Sequence, residues 1–551
     1  MHHALPARRL ARAALIGALL SGAASAALAQ APVATAPRSD AASASTDAKL
    51  EALEAEVEAL MAQLQDLKAS TVAEIKDVRQ STPAKPSATV SISKGAPTFA
   101  SADGSYTATL HGVLQFDAAA YSQQSPGPTT TDLRRSGPAL GASASNIDAG
   151  HARNLKDGDL FRRARIGVDG TAPGNWEYRL LFDFGGTGVE NAGQLYEGWV
   201  QYSGLKPLHF RAGAFAPSLG LEDANSTSYM PFLDRPSPVD ISRNLAGGDA
   251  RTAFQVAGYG PYWFASAAVT GRTVGVINTN NVIPISSTTT SITVGTAQTY
   301  SDQLAFTGRL AYDPLHGKDW RINLGVHGSY VERPANISGP GANGITPASS
   351  YVVSLNGTPE LRVDGTRLVN TGNIPAKHAS TAGVEFAAQK GPFFLGSEYE
   401  HITIERSDIA SRPEFNGYYV EGTWFLTGES KTYNTSSGAF DGPGAINHLF
   451  NPKAGGLGAV ELALRWSDMN FNYHQGDAGS APASTAIRGG DQSIFTAGIN
   501  WYPTPILRFM VDYQHVRIDR LSPSATAYAT PTGAQIGQSY DAVALRSQIA
   551  F

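Results

Sequence analysis

The sequence has no cysteine, no long apolar run beyond its first thirty residues, and no excess of positive charge. Without cysteine there is no disulfide framework, no thiolate-held zinc or iron–sulfur cluster, and no cysteine nucleophile. Without apolar stretches of about 20 residues there is no bundle of membrane helices. A formal charge of −5 gives no reason to expect a nucleic-acid partner. What the 551 residues do contain is 57 glycines, 22 Phe, 21 Tyr and 7 Trp, with charged residues held to 16%.

The N-terminus is organised for export. Arg8, Arg9 and Arg12 precede the apolar stretch from Ala13 to Ala27, and Ala27-Leu28-Ala29 supplies a small-x-small cleavage pattern. Residues 1–29 therefore read as a signal peptide. Its removal takes away three arginines and leaves 39 basic against 47 acidic residues, a net charge of −8. Residues 30–48, rich in Ala, Ser, Thr and Pro, read as a flexible linker. Within residues 49–80, Leu50, Leu53, Val57, Leu60, Leu64 and Leu67 alternate spacings of three and four. That is the a/d seam of a short coiled coil. The alternative is a single amphipathic helix lying on another surface. Pro83, Pro86 and Pro97 mark a second linker over residues 81–103.

From about Asp103 the period falls to two. Trp176, Tyr178, Leu180, Phe182 and Phe184 share one face, with Glu177, Arg179 and Asp183 on the other. Similar alternation runs through Trp320–Tyr330, Tyr418–Leu426, Val460–Ser467, Arg508–Gln514 and Val543–Phe551. These are half-buried strands. Their length, about 9–12 residues, suits a tilted bilayer crossing. Aromatics such as Trp176, Tyr202, Trp320 and Trp501 sit at strand ends, as an interfacial girdle requires. Tight turns at 169–175, 204–207, 313–318, 390–392 and 503–505 alternate with long polar loops at 122–157, 217–250, 272–301 and 332–378. Residues 104–551 are therefore expected to form an all-β, antiparallel transmembrane barrel of about 16 strands.

Five segments carry a resemblance: GDLFRRARIGVDGTAPGNWEYRLLFDFGG (158–186), LYEGWVQYSGLKPLHFRAGAFAPSLGLED (195–223), YVEGTWFLTGESKTYN (419–434), GAVELALRWSDMN (458–470) and GINWYPTPILRFMVDYQHVRID (498–519). The chain resembles the phosphate-selective porin O and P family. The resemblance implies a homotrimer in the outer-membrane lipid of a Gram-negative bacterium; the heptad segment lies outside the resembling region, and a periplasmic coiled coil there would suit a trimer. It also implies a narrow channel for small anions such as phosphate, and a third extracellular loop folded inward. Pore arginines and a lysine-assisted constriction belong to the same expectation.

Arginine suits oxyanions because its planar fork meets two oxygens and stays charged. Arg163 and Arg165 share the polar face with Asp169. Arg162 falls on the apolar phase, at a rim or beside a bulge, and the resemblance matches the Arg162–Arg163 pair to pore arginines. Arg179 and Arg211 alternate correctly for the lumen, where pairing with a wall carboxylate competes with pore lining. Arg235 and Arg243 belong to the long segment 217–250, with Arg251 at its base; each lines the constriction or pins the loop. Lysine is scarce in the barrel region. Lys156, Lys206, Lys318, Lys377, Lys390, Lys431 and Lys453 all read as turn or loop residues, so a lysine-assisted phosphate site has no counterpart on a strand. No HExxH, GxSxG or GxxxxGK[ST] motif occurs, and His327 and His515 read as wall residues. No enzyme activity, cofactor or metal is expected. The alternatives are a weakly selective porin for sugars or carboxylates, a tether between outer membrane and cell wall that conducts secondarily, and a barrel enzyme with its site in loops.

Overall fold

The computed structural model describes residues 41–81, 88–123, 155–186, 193–274, 280–284, 291–295, 302–336, 350–523 and 531–551. The expected signal peptide and most of the first linker lie outside these residues. The chain divides into two units between Lys85 and Pro86.

The first unit contains helix α1 (Ala41–Ser81). It starts nine residues before Leu50, the first residue of the heptad seam, because alanine and serine there are compatible with a helix that the leucines already nucleate. Leu53, Leu60, Leu64 and Leu67 are each more than half exposed.

The second unit opens with a hairpin where a linker was expected. Strands β1 (Thr89–Ser93) and β2 (Ala96–Ala100) pair across a two-residue turn. Lys94 and Gly95 take left-handed φ values of 48° and 83°, as such a turn demands. The strands are short and Pro97 reads as a breaker, which hid them from the pattern; near a sheet edge proline is tolerated.

The wall follows. It runs through β3 (Thr107–Ser122), β4 (Gly158–Ala172), β5 (Trp176–Asp183) and β6 (Gln194–Leu205). Next come β7 (Leu208–Phe215), β8 (Arg251–Tyr259) and β9 (Trp263–Thr273). A separate two-stranded sheet, β10 (Asn280–Pro284) with β11 (Ser291–Gly295), precedes β12 (Leu304–His316) and β13 (Trp320–Arg333). Short β14 (Ala335–Asn336) and β15 (Tyr351–Gly357) form a side ladder on the long β16 (Val369–Lys390). β17 (Phe393–Arg406) and β18 (Glu414–Phe425) lead to a second separate hairpin, β19 (Lys431–Asn434) with β20 (Ala439–Pro443). The wall ends with β21 (Ala459–Tyr473), β22 (Ile487–Thr504), β23 (Leu507–Asp519) and β24 (Ser539–Ala550). Sixteen of these strands pair antiparallel in succession, and β24 pairs with β3. Closure leaves the wall without an open edge, as lipid requires.

Several wall strands exceed the 9–12 residues expected, reaching 22 in β16. They run past the lipid zone, and β23 shows where. Phe509, Val511 and Tyr513 face outward while Arg508, Asp512 and Gln514 are buried inside. Beyond Tyr513 the chemistry inverts: His515, Arg517 and Asp519 are exposed, and Val516 and Ile518 are buried. The alternation of two continues unbroken, but water has replaced lipid outside and packed loops have replaced the aqueous lumen inside. At the short-turn end the aromatics pair as a girdle. Trp176 lies 5.1 Å from Tyr202, Phe393 5.5 Å from Trp424 and Trp501 5.5 Å from Phe509, between ring centroids. Phe551 continues the closing ladder, exchanging backbone hydrogen bonds with Gly112 at 3.0 and 2.9 Å.

The division into short turns and long loops has one exception. Residues 426–458, between β18 and β21, are long yet lie at the short-turn end, which faces the periplasm in bacterial barrels. The lysine reading also needs correction. Lys377 and Lys390 belong to β16, and Lys431 to β19. Lys377 and Lys390 extend beyond the lipid zone and are exposed, so charge and strand geometry coexist there.

A lipid-facing charge tests the orientation of the wall. Val511→Lys is expected to lower barrel stability by about 2–4 kcal/mol if Val511 lies near the bilayer midplane. The urea midpoint for unfolding from lipid vesicles measures this; an unchanged midpoint would mean the face points elsewhere.

Candidate pore and its constriction

Among the described residues, three segments enter the barrel. The largest, residues 216–250 between β7 and β8, carries helices α2 (Leu221–Ala224) and α3 (Ser237–Ala246). Its backbone cannot bond to itself throughout, so wall side chains supply the partners. Arg508 donates to the carbonyls of Ser228 (3.2 Å) and Met230 (2.6 Å). Asp512 accepts from Leu233 N–H at 2.9 Å, and Glu398 from Leu221 and Glu222 N–H at 2.5 and 3.0 Å. The second segment follows β15. Glu360, at φ 53°, accepts from Ser237 N–H at 2.7 Å and from Arg465 at 2.5 Å, joining both loops to the wall. The third is the hairpin β19–β20, entering from the short-turn end. Arg309 donates to the Ser437 and Gly438 carbonyls at 2.5 and 2.9 Å, and Phe440 N–H bonds Asn225 at 3.1 Å.

These insertions pack against the β12–β24 side; of the three cavities beside them, the outer one lies against β13 and β15 and the other two lie beside β4–β6. The outer cavity, about 310 Å³, is lined by Asp240, Asn244, Gln303, Arg362 and Arg367. It shares Asp240, Thr358 and Arg362 with a middle cavity of about 230 Å³. The middle cavity shares Arg165, Tyr196, Arg235, Arg243 and Asp249 with an inner cavity of about 850 Å³. The inner cavity ends at Lys94, Pro505 and Phe551, at the short-turn mouth. Shared linings join the three, with the middle cavity between the other two.

The eight arginines singled out from sequence divide sharply. Arg162, Arg163 and Arg165 line the middle cavity. A bulge lies between the pairs Gln115–Arg163 and Phe116–Phe161 and leaves Arg162 unpaired in the ladder, which turns it inward against its phase. There it bonds Asp234 at 3.0 Å. Arg165 bonds Asp183 at 2.7 Å and Thr227 at 3.0 Å, with its guanidinium 3.4 Å from the centre of the Tyr196 ring. Arg163, 2% exposed, donates only to Gln115 at 2.7 Å and has no carboxylate within 4.0 Å among the described residues.

In the loop, Arg243 is held by Asp223 and by Asp249 at 2.7 Å, with Asp240 at 4.0 Å. Arg235 instead meets the carbonyls of Glu222, Asp223 and Asn225 at 3.3–3.5 Å. Both line the route. Arg251 does not: it donates to the Gly247, Asn244 and Gly271 carbonyls and pins the loop base. Arg179 lies between Glu197 (3.3 Å) and Asp169 (3.4 Å). Arg211, also in the inner cavity, has no carboxylate within 4.0 Å among the described residues. It bonds Gln201 at 2.8 Å and lies 4.2 Å from the Trp199 ring centre.

Burial pushes the Asp234 carboxyl up, but Arg162, Arg362 and Arg163 outweigh it and hold the group below the ordinary carboxylate range. Asp249 is lowered in the same way, burial being opposed by Arg243, Arg235 and Arg165. A depressed carboxylate contributes its pairing above the ordinary value and loses it only as pH falls through the lower one. The Asp234 contacts therefore persist wherever an ordinary aspartate is ionised.

Sequence reasoning missed Glu360, Arg362 and Lys94. The first two lie in a segment whose only signal was its length. Lys94 was assigned to a linker. Lys431 was read as a loop residue, yet its side chain is buried and paired with Glu461 at 3.3 Å. His327 is a wall residue, with Glu385 and Glu400 at 2.9 and 2.8 Å from its two ring nitrogens.

The sequence model of the family described as phosphate-selective porin O and P matches residues 138–542. Porin O of Pseudomonas aeruginosa is 25% identical over 409 residues, covering 71% of this chain and 85% of that protein. An uncharacterised protein of Caulobacter vibrioides is 23% identical over 435 residues, covering 78% of this chain and 73% of its own length. Among solved structures, an anion-selective porin from Comamonas acidovorans is similar at 12% identity, with a TM-score of 0.41, over 81% of this chain and 100% of that one.

Asp234→Asn removes one acid from the middle cavity while keeping a hydrogen-bonding side chain. It is expected to raise the chloride-to-potassium permeability ratio roughly twofold, the scale of one screened charge. The reversal potential under a salt gradient measures the change; a fall in the ratio would show that Arg162 does not face the conducting path.

Proposed function

The chain belongs to the phosphate-selective porin O and P family, and we propose that this outer-membrane porin conducts small anions, phosphate among them, by passive diffusion past lumen arginines. The observation that carries the reading is Arg163. A guanidinium does not shed its proton to escape burial, and a buried charge without a counter-charge is costly. Arg163 sits in the middle cavity with Gln115 as its bonded partner among the described residues. A passing anion supplies the missing charge. Arg235, whose partners are all neutral carbonyls, supplies a second such position on the loop. Glu461 occupies Lys431, so the reading covers small anions as a class rather than phosphate alone.

A second reading is a weakly selective channel for sugars or carboxylates. It is favoured by the aspartates bonded to Arg162, Arg165 and Arg243 in the same cavity. Reversal potentials in planar bilayers separate the two. Anion preference in the parent channel, reduced severalfold by Arg163→Gln with Arg235→Gln, supports the first reading. A parent channel without anion preference supports the second.

The exposed leucine seam of α1 supports assembly of a homotrimer through a periplasmic coiled coil. Deleting residues 49–80 is then expected to leave single-channel conductance intact and to reduce the trimer on native gels. Loss of conductance with trimers retained would overturn that role.

A further inference from the structure

We propose that Lys94, at the tip of the hairpin β1–β2 and outside the barrel wall, is the periplasmic end of the anion route and sets part of its selectivity. The inference rests on the anion-porin reading and extends the route beyond the barrel. The hairpin tip lines the mouth of the inner cavity through Ser93, Lys94 and Ala96, beside Pro505 and Phe551. Its position is fixed by packing. A Cβ added at Gly95 would come within 2.8 Å of Ile506 Cγ2 and 3.2 Å of Phe551 Cβ, so the turn rests on the β22–β23 turn and the C-terminal residue. The left-handed backbone at both turn residues holds the Lys94 stem at that place.

The charge environment distinguishes this lysine. In the inner cavity, Asp169 and Glu197 are taken by Arg179, Glu177 by Gln201 and Ser203 at 3.1 and 2.6 Å, and Asp223 and Asp249 by Arg243. Asp441 accepts from Asn434 at 3.2 Å and is the acid there on which the Lys94 charge acts. Lys94 has no carboxylate within 4.0 Å among the described residues. It shares that condition with Arg211 deeper in the same cavity and with Arg163 in the middle one. A cation at one mouth acts on ions at the scale of a Debye length, about 10 Å at 0.1 M salt and about 3 Å at 1 M. Its effect is therefore one-sided and removable by salt.

The full-length protein and its Lys94→Asp and Lys94→Arg variants, inserted into planar bilayers in one orientation, test this with potassium chloride as the probe. At 0.1 M, Lys94→Asp is expected to lower the chloride-to-potassium permeability ratio at least about twofold and to make the current rectify; Lys94→Arg should behave as the parent. At 1 M the differences should disappear. A parent channel that prefers chloride but is unchanged by Lys94→Asp at 0.1 M overturns this inference alone. A parent without chloride preference overturns the anion-porin reading and this inference with it. Circular dichroism and heat-modifiable mobility on gels verify that each variant is folded, so an unchanged current cannot come from a misassembled barrel.

Discussion

A backbone amide inside a bilayer has no water to bond, and the rest of this structure depends on that constraint. It requires a closed ladder, which the pairing of β24 with β3 completes. Closure creates an inside and an outside, and the two-residue period of a strand delivers alternate side chains to each. Outside, Phe509 and Val511 meet lipid; inside, Arg508 and Asp512 meet a lumen. The same four residues on a helix could not be separated so completely.

A sixteen-stranded wall leaves a lumen wider than its side chains fill. The inward segments narrow it, and they are held by wall charges bonded to loop backbone. Arg508, Glu398 and Asp512 spend their polar capacity on loop carbonyls and amides. This explains why many lumen charges are structural. A lumen arginine is available to a solute only if it lines the route and no carboxylate has claimed it. Arg163, Arg211 and Arg235 meet that condition within the barrel; Arg243, held by aspartates, and Arg251, off the route, do not.

The acidic total is reconciled in the same terms. Glu385, Glu398 and Glu400 gather around Arg309 and His327 on the packed side of the lumen. They are engaged by those two side chains, by loop amides and by Tyr419, away from the residues that line the three cavities. Net charge is a sum over the chain, whereas an ion meets only the groups along its route.

The barrel was legible in the sequence because its determinants are local: an alternation of two, aromatics at strand ends, and turns between them. The strand number followed from the same pattern, as did the presence of arginines on the polar phase. Three things were not legible. Arg162 reached the lumen through a bulge, a register event between β3 and β4 that no single-strand pattern records. The hairpin carrying Lys94 was hidden because two five-residue strands gain their meaning from the sheet they join. Above all, the sequence alone determined which residues could carry charge into a pore, while only the tertiary structure decided which of them remain unclaimed. Asp234 reaches Arg162 from 72 residues away and Glu360 reaches Arg465 from 105, and proximity of that kind is a property of the fold.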